Sequence, residues 1–384
     1  MRTESPVQPA AWLRLDGPRD RDIPGDTQAW IALAQTAAQS GLAGLMLQRA
    51  SCRGLDLPSM VLSHWRQAAL STASRNLHFA CELRKMLALA IERGIEIMLL
   101  KGAALLPTIY ERPELRPMSD LDLLVRSAAV DSAIHLLEDL GFQRGKALLQ
   151  EDFFPKFYYE TEFYLPSVRP VRVDLHVRPF RPMPLAQTIP DDAIWHDAQR
   201  LKLDDQTAWI PSSASMFIHL TAHAAFHGCD RPLWLYDIKR FAESVPMKWP
   251  IVIQRAKEWG ILTAVRQAVI SATHALGEFC PADFIAELAR HRPDWRERWM
   301  LAQAPRDAVS PICHVFCNAV CSKGWGNRLA YLRAVALPGR THFEGLRNVR
   351  SPGAMVMALT RRTARAVLRP VLSLIPRLPG AVGR

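Results

Sequence analysis

The chain has 384 residues, of which 49% are hydrophobic and 22% are charged. This composition is typical of a globular protein and excludes a disordered or fibrous one, and the length exceeds that of a single typical domain. The formal net charge is +11, but residues 340–384 account for +8 of it through nine arginines against one glutamate, so the rest of the chain is only mildly basic.

Location and redox state are predicted from three absences in the sequence. The N-terminus has no apolar segment before a small-residue cleavage site, and no stretch reaches the ~18 to 20 apolar residues of a membrane span. Seven scattered cysteines without CxxC spacing argue against a disulfide framework and a zinc ribbon. We therefore predict a soluble, cytoplasmic protein with reduced thiols.

The hydrophobic pattern predicts four regions in chain order. Residues 1–75 have apolar positions at helical spacing and are predicted to be helical. Residues 76–184 change to an α/β pattern, residues 185–339 are predicted to form a helical C-terminal domain, and residues 340–384 form a basic, Arg/Pro-rich tail with one amphipathic helix. Within the α/β block the predicted strands are IEIMLL, DLDLLV, FYYETEFYLP and VRVDLHV, and the first is followed by the short helix AALLPTIYE.

Two aspartates lie one residue apart at the start of the strand DLDLLV. Alternate side chains of a strand share a face, so Asp120 and Asp122 are expected to point the same way. Asp174 in VRVDLHV could bring a third carboxylate from a neighbouring strand. Like charges this close repel unless cations lie among them. Two Mg²⁺ ions could supply that charge and bind substrate phosphates. The alternative is an exposed strand edge or a capped turn.

A lysine and a glycine follow the first strand. Gly102 at a strand-to-helix turn would let the backbone approach a phosphate, and Lys101 could neutralise it. The alternative for Lys101 is a structural role at the strand end. No Walker A or GxGxxG string occurs in the sequence, so the usual P-loop and Rossmann routes to nucleotide binding lack support.

Together, LLKGAAL, RPMSDLDLLV, VDLH and HLTAHAAFH…LWLYDI resemble an uncharacterised bacterial nucleotidyltransferase family of the DNA polymerase beta-like superfamily. The resemblance implies an α+β protein with a small mixed sheet, and the transfer of a nucleoside monophosphate from an NTP to an acceptor hydroxyl. It implies metal binding by Asp120, Asp122 and Asp174, and a phosphate turn at Gly102. Ala103 stands where the superfamily has serine, which makes Lys101 the candidate for the missing phosphate contact.

Further candidates lie near these motifs. Arg116 and Ser119 could reach the triphosphate, with a solvated arginine and a turn-capping serine as alternatives. His176 should share the face of Asp174 and could orient a carboxylate or take a proton, or be a buried structural histidine.

Three histidines, His219, His223 and His227, recur every four residues and form one helical stripe. The glutamate of HExxH is absent, so a zinc hydrolase is a weak alternative. On the acceptor side we predict His223, with Asp237 and Lys239 as further candidates. For Asp237 we favour a salt bridge that holds helices together over a chemical role, and for Lys239 solvation is the more usual state.

The C-terminal features are ambiguous. Cys313, Cys317 and Cys321 favour a helical core stripe over a metal site. The basic tail could be a terminal helix or a peripheral membrane contact, while nucleic acid is disfavoured because no recognition motif is present. The acceptor remains open among small molecules, sugars, peptides and proteins. The alternative to an enzyme is a catalytically silent nucleotide-binding or interaction protein in a biosynthetic complex.

Overall fold

A computed structural model describes residues 9–14, 18, 22–145, 159–180, 185, 189–302, 315, 318–320, 322 and 324–336. These residues form an α+β fold around one seven-stranded mixed sheet, which confirms the predicted fold class. The strands are β1 (Ile97–Leu99), β2 (Leu121–Val125), β3 (Gln143–Arg144), β4 (Glu160–Leu165), β5 (Val171–His176), β6 (Gln199–Leu203) and β7 (Gln206–Ile210). The α-helices described are α1 (Thr27–Gln39), α2 (Ala43–Cys52), α3 (Ser59–Glu92), α4 (Lys101–Ile109), α5 (Val130–Asp139), α6 (Ser213–Phe226), α7 (Pro232–Ser244), α8 (Trp249–Glu258), α9 (Leu262–Leu276), α10 (Ala282–Arg290), α11 (Trp295–Ala302) and α12 (Trp325–Ala336).

The sheet has the strand order β3-β4-β5-β2-β1-β7-β6. The central strand β2 is antiparallel to β1 and parallel to β5. All five residues of β2 are buried, in keeping with a central strand covered on both faces. Because β2 and β5 run in the same direction, residues in register on them project from the same region of the sheet.

The strand pair β6–β7 lies where the sequence predicted only helices, in the region after residue 184. The two strands form an antiparallel hairpin, and β7 joins the sheet parallel to β1 at the pair Met98–Trp209. The turn between them places Asp204 at φ 54°, a left-handed conformation that Asp tolerates through local hydrogen bonding. Most β6 side chains are polar and exposed, so this edge strand lacks the apolar run that marks a core strand.

The helix α3 is continuous and supports the loop that leads into β2. Its Asn76 is 1% exposed. The Asn76 amide donates to the carbonyls of Pro113, at 2.7 Å, and Arg116, at 2.8 Å, and its Oδ1 accepts from the N–H of Met118 at 3.3 Å. This one side chain therefore fixes both ends of the segment from residue 113 to residue 118.

The sheet and the flanking helices share one hydrophobic core. Trp65 of α3, Phe163 of β4 and Phe217 of α6 all belong to the same buried cluster. The helix α6 is buried on nearly every side because its sequence is apolar all round. The Ser212 hydroxyl caps its N-terminus by accepting from the N–H of Ser215 at 3.4 Å.

The described helices include none that is both long and apolar enough to cross a membrane. Cys313, Cys317, Cys321 and the tail at residues 340–384 lie outside the described residues, so their interpretations stay predictions.

Candidate active site

A cavity of about 930 Å³ opens beside β2 and β5 and is walled by the sheet, by α3 and by the helices α6 and α7. Several of the residues predicted from the sequence line it, namely Lys101, Arg116, Ser119, Asp120, Asp122, Asp174, His176 and His223. Gly102, Asp237 and Lys239 are not among the lining residues.

The three aspartates are placed by the pairing of β2 with β5. Asp122 lies in register with Asp174 across the parallel pair, and Asp120 is the residue before β2. The Arg172 side chain connects the other two, since its guanidinium contacts Asp120 and its Nε lies 3.8 Å from Oδ1 of Asp174. The structure thus brings all three carboxylates to one wall of the cavity.

Asp122 is the most buried of the three, at 2% exposure. Its Oδ1 accepts from the Lys101 ammonium at 2.7 Å and lies 3.0 Å from Nε2 of His176. Burial acts to raise the pKa of Asp122, but the charge of Lys101 and the contact with His176 outweigh it and hold that pKa well below its usual range. Asp122 is therefore a carboxylate at neutral pH.

Lys101 reaches Asp122 through an unusual backbone conformation. Its φ is 44°, in the left-handed region that non-glycine residues rarely adopt. The preceding Leu100 donates its N–H to the carbonyl of Asp122 at 3.0 Å, so the start of α4 is bound directly to β2. Left-handed residues cost energy and persist where the surroundings hold them, as the ion pair does here.

Asp174 lies close to three other carboxylates, those of Asp122, Glu160 and Asp120. Burial, followed by the charges of Asp122, Glu160 and Asp120, raises the pKa of Asp174 to about 7. The nearest cationic group to Asp174 is the Arg172 guanidinium, whose Nε lies 3.8 Å from Oδ1 of Asp174. A divalent cation would relieve this repulsion, and the available oxygen ligands are those that Mg²⁺ prefers.

With Lys101 and Arg172 on the carboxylates, no group of three His, Cys, Asp or Glu residues in the described part of the chain has the arrangement of a metal site. The donor set and its excess charge nevertheless fit Mg²⁺. Cation binding would require the two basic side chains to move away from Asp122 and Asp120.

Arg116 and Asp237 form a buried ion pair below the cavity. The Arg116 Nη2 donates to Oδ2 of Asp237 at 2.9 Å, and the Tyr110 hydroxyl donates to Oδ1 at 2.7 Å. Gly102 makes room for this pair, because a Cβ at that position would lie 2.0 Å from Nη1 of Arg116. Asp237 thus holds α7 to the loop before β2.

Lys239 lies on α7 away from the aspartates. Its side chain is 1% exposed, and its ammonium lies 3.0 Å from Oε1 of Glu243 on the same helix and 5.8 Å from the ring centroid of Phe279. This placement supports neither a solvated lysine nor a contact with the cavity.

A sequence model of the family described as "uncharacterised nucleotidyltransferase" matches residues 26–277, which is more than half of the chain. The chain belongs to this nucleotidyltransferase family. No curated protein matches the sequence at a significant level. The matched region of the nucleotidyltransferase includes every element that lines the cavity, from α1 to α7.

His219 and His223 of α6, together with His227 directly after that helix, line the nucleotidyltransferase cavity as one stripe. His223 and His227 have ring centroids 4.7 Å apart, and both rings contact Trp234, at 4.5 Å and 5.0 Å. The Arg231 guanidinium lies over the Trp234 ring at 4.6 Å. His219 is one turn deeper than His223 and is 2% exposed.

Sequence reasoning missed three residues at or beside the nucleotidyltransferase site. Glu160 and Arg172 line the cavity, and Asn76 positions the loop before β2. The signal for Glu160 was present, since it occupies the same alternating phase as Glu162 in the predicted strand. The pairing of β4 with β5, which sets Glu160 opposite His176, could not be read from the sequence.

Proposed function

We propose that this nucleotidyltransferase moves a nucleoside monophosphate from an NTP to an acceptor hydroxyl with two Mg²⁺ ions held by Asp120, Asp122 and Asp174. The observation that supports this most strongly is the register of Asp122 with Asp174 at the cavity wall. The raised pKa of Asp174, which is caused by burial and then by the neighbouring carboxylates, supports it further, because a bound cation would offset the repulsion among these carboxylates.

In the proposed reaction the acceptor oxygen bonds to the α-phosphorus of the NTP. The bond from that phosphorus to the bridging oxygen breaks, pyrophosphate leaves, and the hydroxyl proton passes to a basic group or to water. When bound, Mg²⁺ would activate the hydroxyl and stabilise the charge on pyrophosphate.

The basic residues of the wall would then act on the triphosphate. Lys101 is 16% exposed at its side chain, and release from Asp122 would leave its ammonium facing the cavity to bind phosphate oxygens. Ser119, which now donates to Asp120 at 3.1 Å, could do the same. Arg116 and Gly102 would contribute indirectly, since the packing of the Arg116 side chain on Gly102 holds the loop before β2 against α4. His176 would keep Asp122 oriented, and His223 would face the acceptor.

One observation favours a second candidate, a silent nucleotide-binding protein. Lys101 forms an ion pair with Asp122, and Arg172 forms one with Asp120, so both carboxylates have basic partners from the chain itself. A protein that binds nucleotide without turnover could retain this arrangement.

Isothermal titration of the protein with each NTP in Mg²⁺ tests the proposal. Binding should occur for at least one NTP and vanish in Asp122→Asn, while Asp204→Asn, a substitution on the exposed β6–β7 turn, should leave it unchanged. Unaltered binding in Asp122→Asn would contradict the metal assignment.

Release of pyrophosphate, with cell extract as the source of acceptor, separates the two candidates. The enzyme should release pyrophosphate in proportion to labelled nucleotide transferred. NTP binding without release under these conditions would favour the silent protein.

A further inference from the structure

His219 is a buried histidine of α6 at the wall of the cavity. Neither Nδ1 nor Nε2 makes a hydrogen bond of normal geometry, although the Pro179 carbonyl lies close enough to affect the ring. The side chain is 2% exposed and lines the wall of the large cavity. The ring therefore lines the cavity while neither of its nitrogens has a hydrogen bond of normal geometry.

At this wall His176 Nδ1 and Arg172 Nε also lack a hydrogen bond, but each of these side chains is hydrogen-bonded through another of its nitrogens, whereas neither nitrogen of His219 is. Lys101 and His176 contact Asp122, and Arg116 is paired with Asp237. Buried polar side chains in folded proteins nearly always have partners, so an exception calls for an explanation. A bound ligand that fills the cavity would supply the missing one.

The charges around His219 indicate the chemical class of the ligand. Burial, followed by the positive charge of Lys101, lowers the pKa of His219 to about 3. The imidazole is therefore neutral at physiological pH and carries one N–H donor and one acceptor nitrogen. The His219 ring lines the same cavity as Lys101, and an N–H donor in such surroundings is suited to an anionic oxygen.

We infer that the neutral ring of His219 donates a hydrogen bond to a phosphate oxygen of the bound triphosphate, beside Lys101. This inference rests on the proposed function, because it assumes that an NTP occupies the cavity. It places the first phosphate contact of α6 one turn deeper than His223, which is left to the acceptor side. The packing of the His219 ring against Phe180, with centroids 5.6 Å apart, would hold the ring in place for this contact.

The test compares two ligands in Mg²⁺ by isothermal titration: an NTP that binds the unsubstituted protein, and inorganic tripolyphosphate. His219→Phe keeps the ring volume and removes both nitrogens, and His219→Gln restores a donor and an acceptor. His274→Phe, at an exposed position on α9, is the matched control. Thermal unfolding without ligand reports whether the substitution disturbs the fold.

His219→Phe should weaken both ligands by about tenfold or more, equivalent to about 1.4 kcal/mol. His219→Gln should recover part of the loss, His274→Phe should bind normally, and the ligand-free His219→Phe protein should melt no earlier than the parent. Equal affinities in the parent and His219→Phe would overturn the inference and leave the proposed function intact. Loss of NTP affinity with unchanged tripolyphosphate affinity would overturn the phosphate contact.

Two further outcomes remain decisive. If the unsubstituted protein binds no NTP, the proposed function fails and the inference falls with it. If His219→Phe does not fold, His219→Leu, which also lacks a donor, is compared in the same way, and unchanged tripolyphosphate affinity in that variant refutes the contact.

Discussion

The buried pair of Arg116 and Asp237 can be tested by a double-mutant cycle. The two side chains are 8% and 2% exposed, and removal of either would leave the other charge buried without its main partner. Breaking a buried pair in this way costs roughly 3 to 5 kcal/mol. Replacing both charges by apolar groups of similar volume is often close to neutral. Arg116→Met and Asp237→Leu should therefore each lower the free energy of unfolding by about 3 to 5 kcal/mol, and the double variant by clearly less than their sum.

The assay is equilibrium unfolding in urea, followed by circular dichroism, for the parent and the three variants. A coupling of at least about 2 kcal/mol between the two substitutions is expected, since the groups are in direct contact. Additive losses, or a loss below about 1 kcal/mol for Arg116→Met, would refute the structural role of the pair. NTP affinity gives a second check: a drop confined to Arg116→Met would instead assign the guanidinium to the triphosphate.

Two further predictions concern Gly102 and His219. Gly102→Ala places a Cβ 2.0 Å from Nη1 of Arg116 and 2.9 Å from Cγ of Met118, so it should cost about 1 to 3 kcal/mol of stability. Gly326→Ala, whose Cβ would meet nothing within 4 Å, is the control, and equal melting temperatures for both variants would contradict the packing argument. His219 has its pKa lowered from 6.5 to about 3, so as the pH falls below 6.5 only the unfolded state gains this proton and folding stability decreases. From pH 6.5 to about pH 5 this loss should reach about 2 kcal/mol relative to His219→Phe. The comparison of variants removes the opposite contribution of Asp174, whose raised pKa favours the folded state as the pH falls below about 7. Parallel stability curves for the parent and His219→Phe in chelator would contradict it.

The alternation within strands was enough to predict which faces the aspartates share. Asp122 and Asp174 each lie between apolar neighbours that point the other way, and that pattern depends only on the two-residue period of a strand. The parallel register that sets them opposite each other depends on the whole sheet. It could be hypothesised from the family resemblance but not worked out from the residues.

The partners of the candidate residues could not be predicted, because they are distant in the sequence. Arg116 and Asp237 are 121 positions apart, and nothing local marks the arginine as buried. A polar residue such as Asn76 within a long helix also gives no signal, since its role exists only when the loop from residue 113 packs on it. The β6–β7 hairpin was missed because an edge strand needs little apolar sequence.

The uninterrupted helix α3 connects the amino-terminal helices to the candidate active site. At 1.5 Å per residue its 34 residues extend for about 51 Å, and the predicted boundary at residue 75 falls in its middle, next to the asparagine that secures the loop into β2. A truncated protein that starts at residue 76 would lose half of α3 and part of the cavity wall. Because α1 and α2 also line the cavity, any minimal catalytic fragment should retain the chain from residue 27 onward with α3 complete, and gene fusions would be tolerated upstream of α1 rather than within α3.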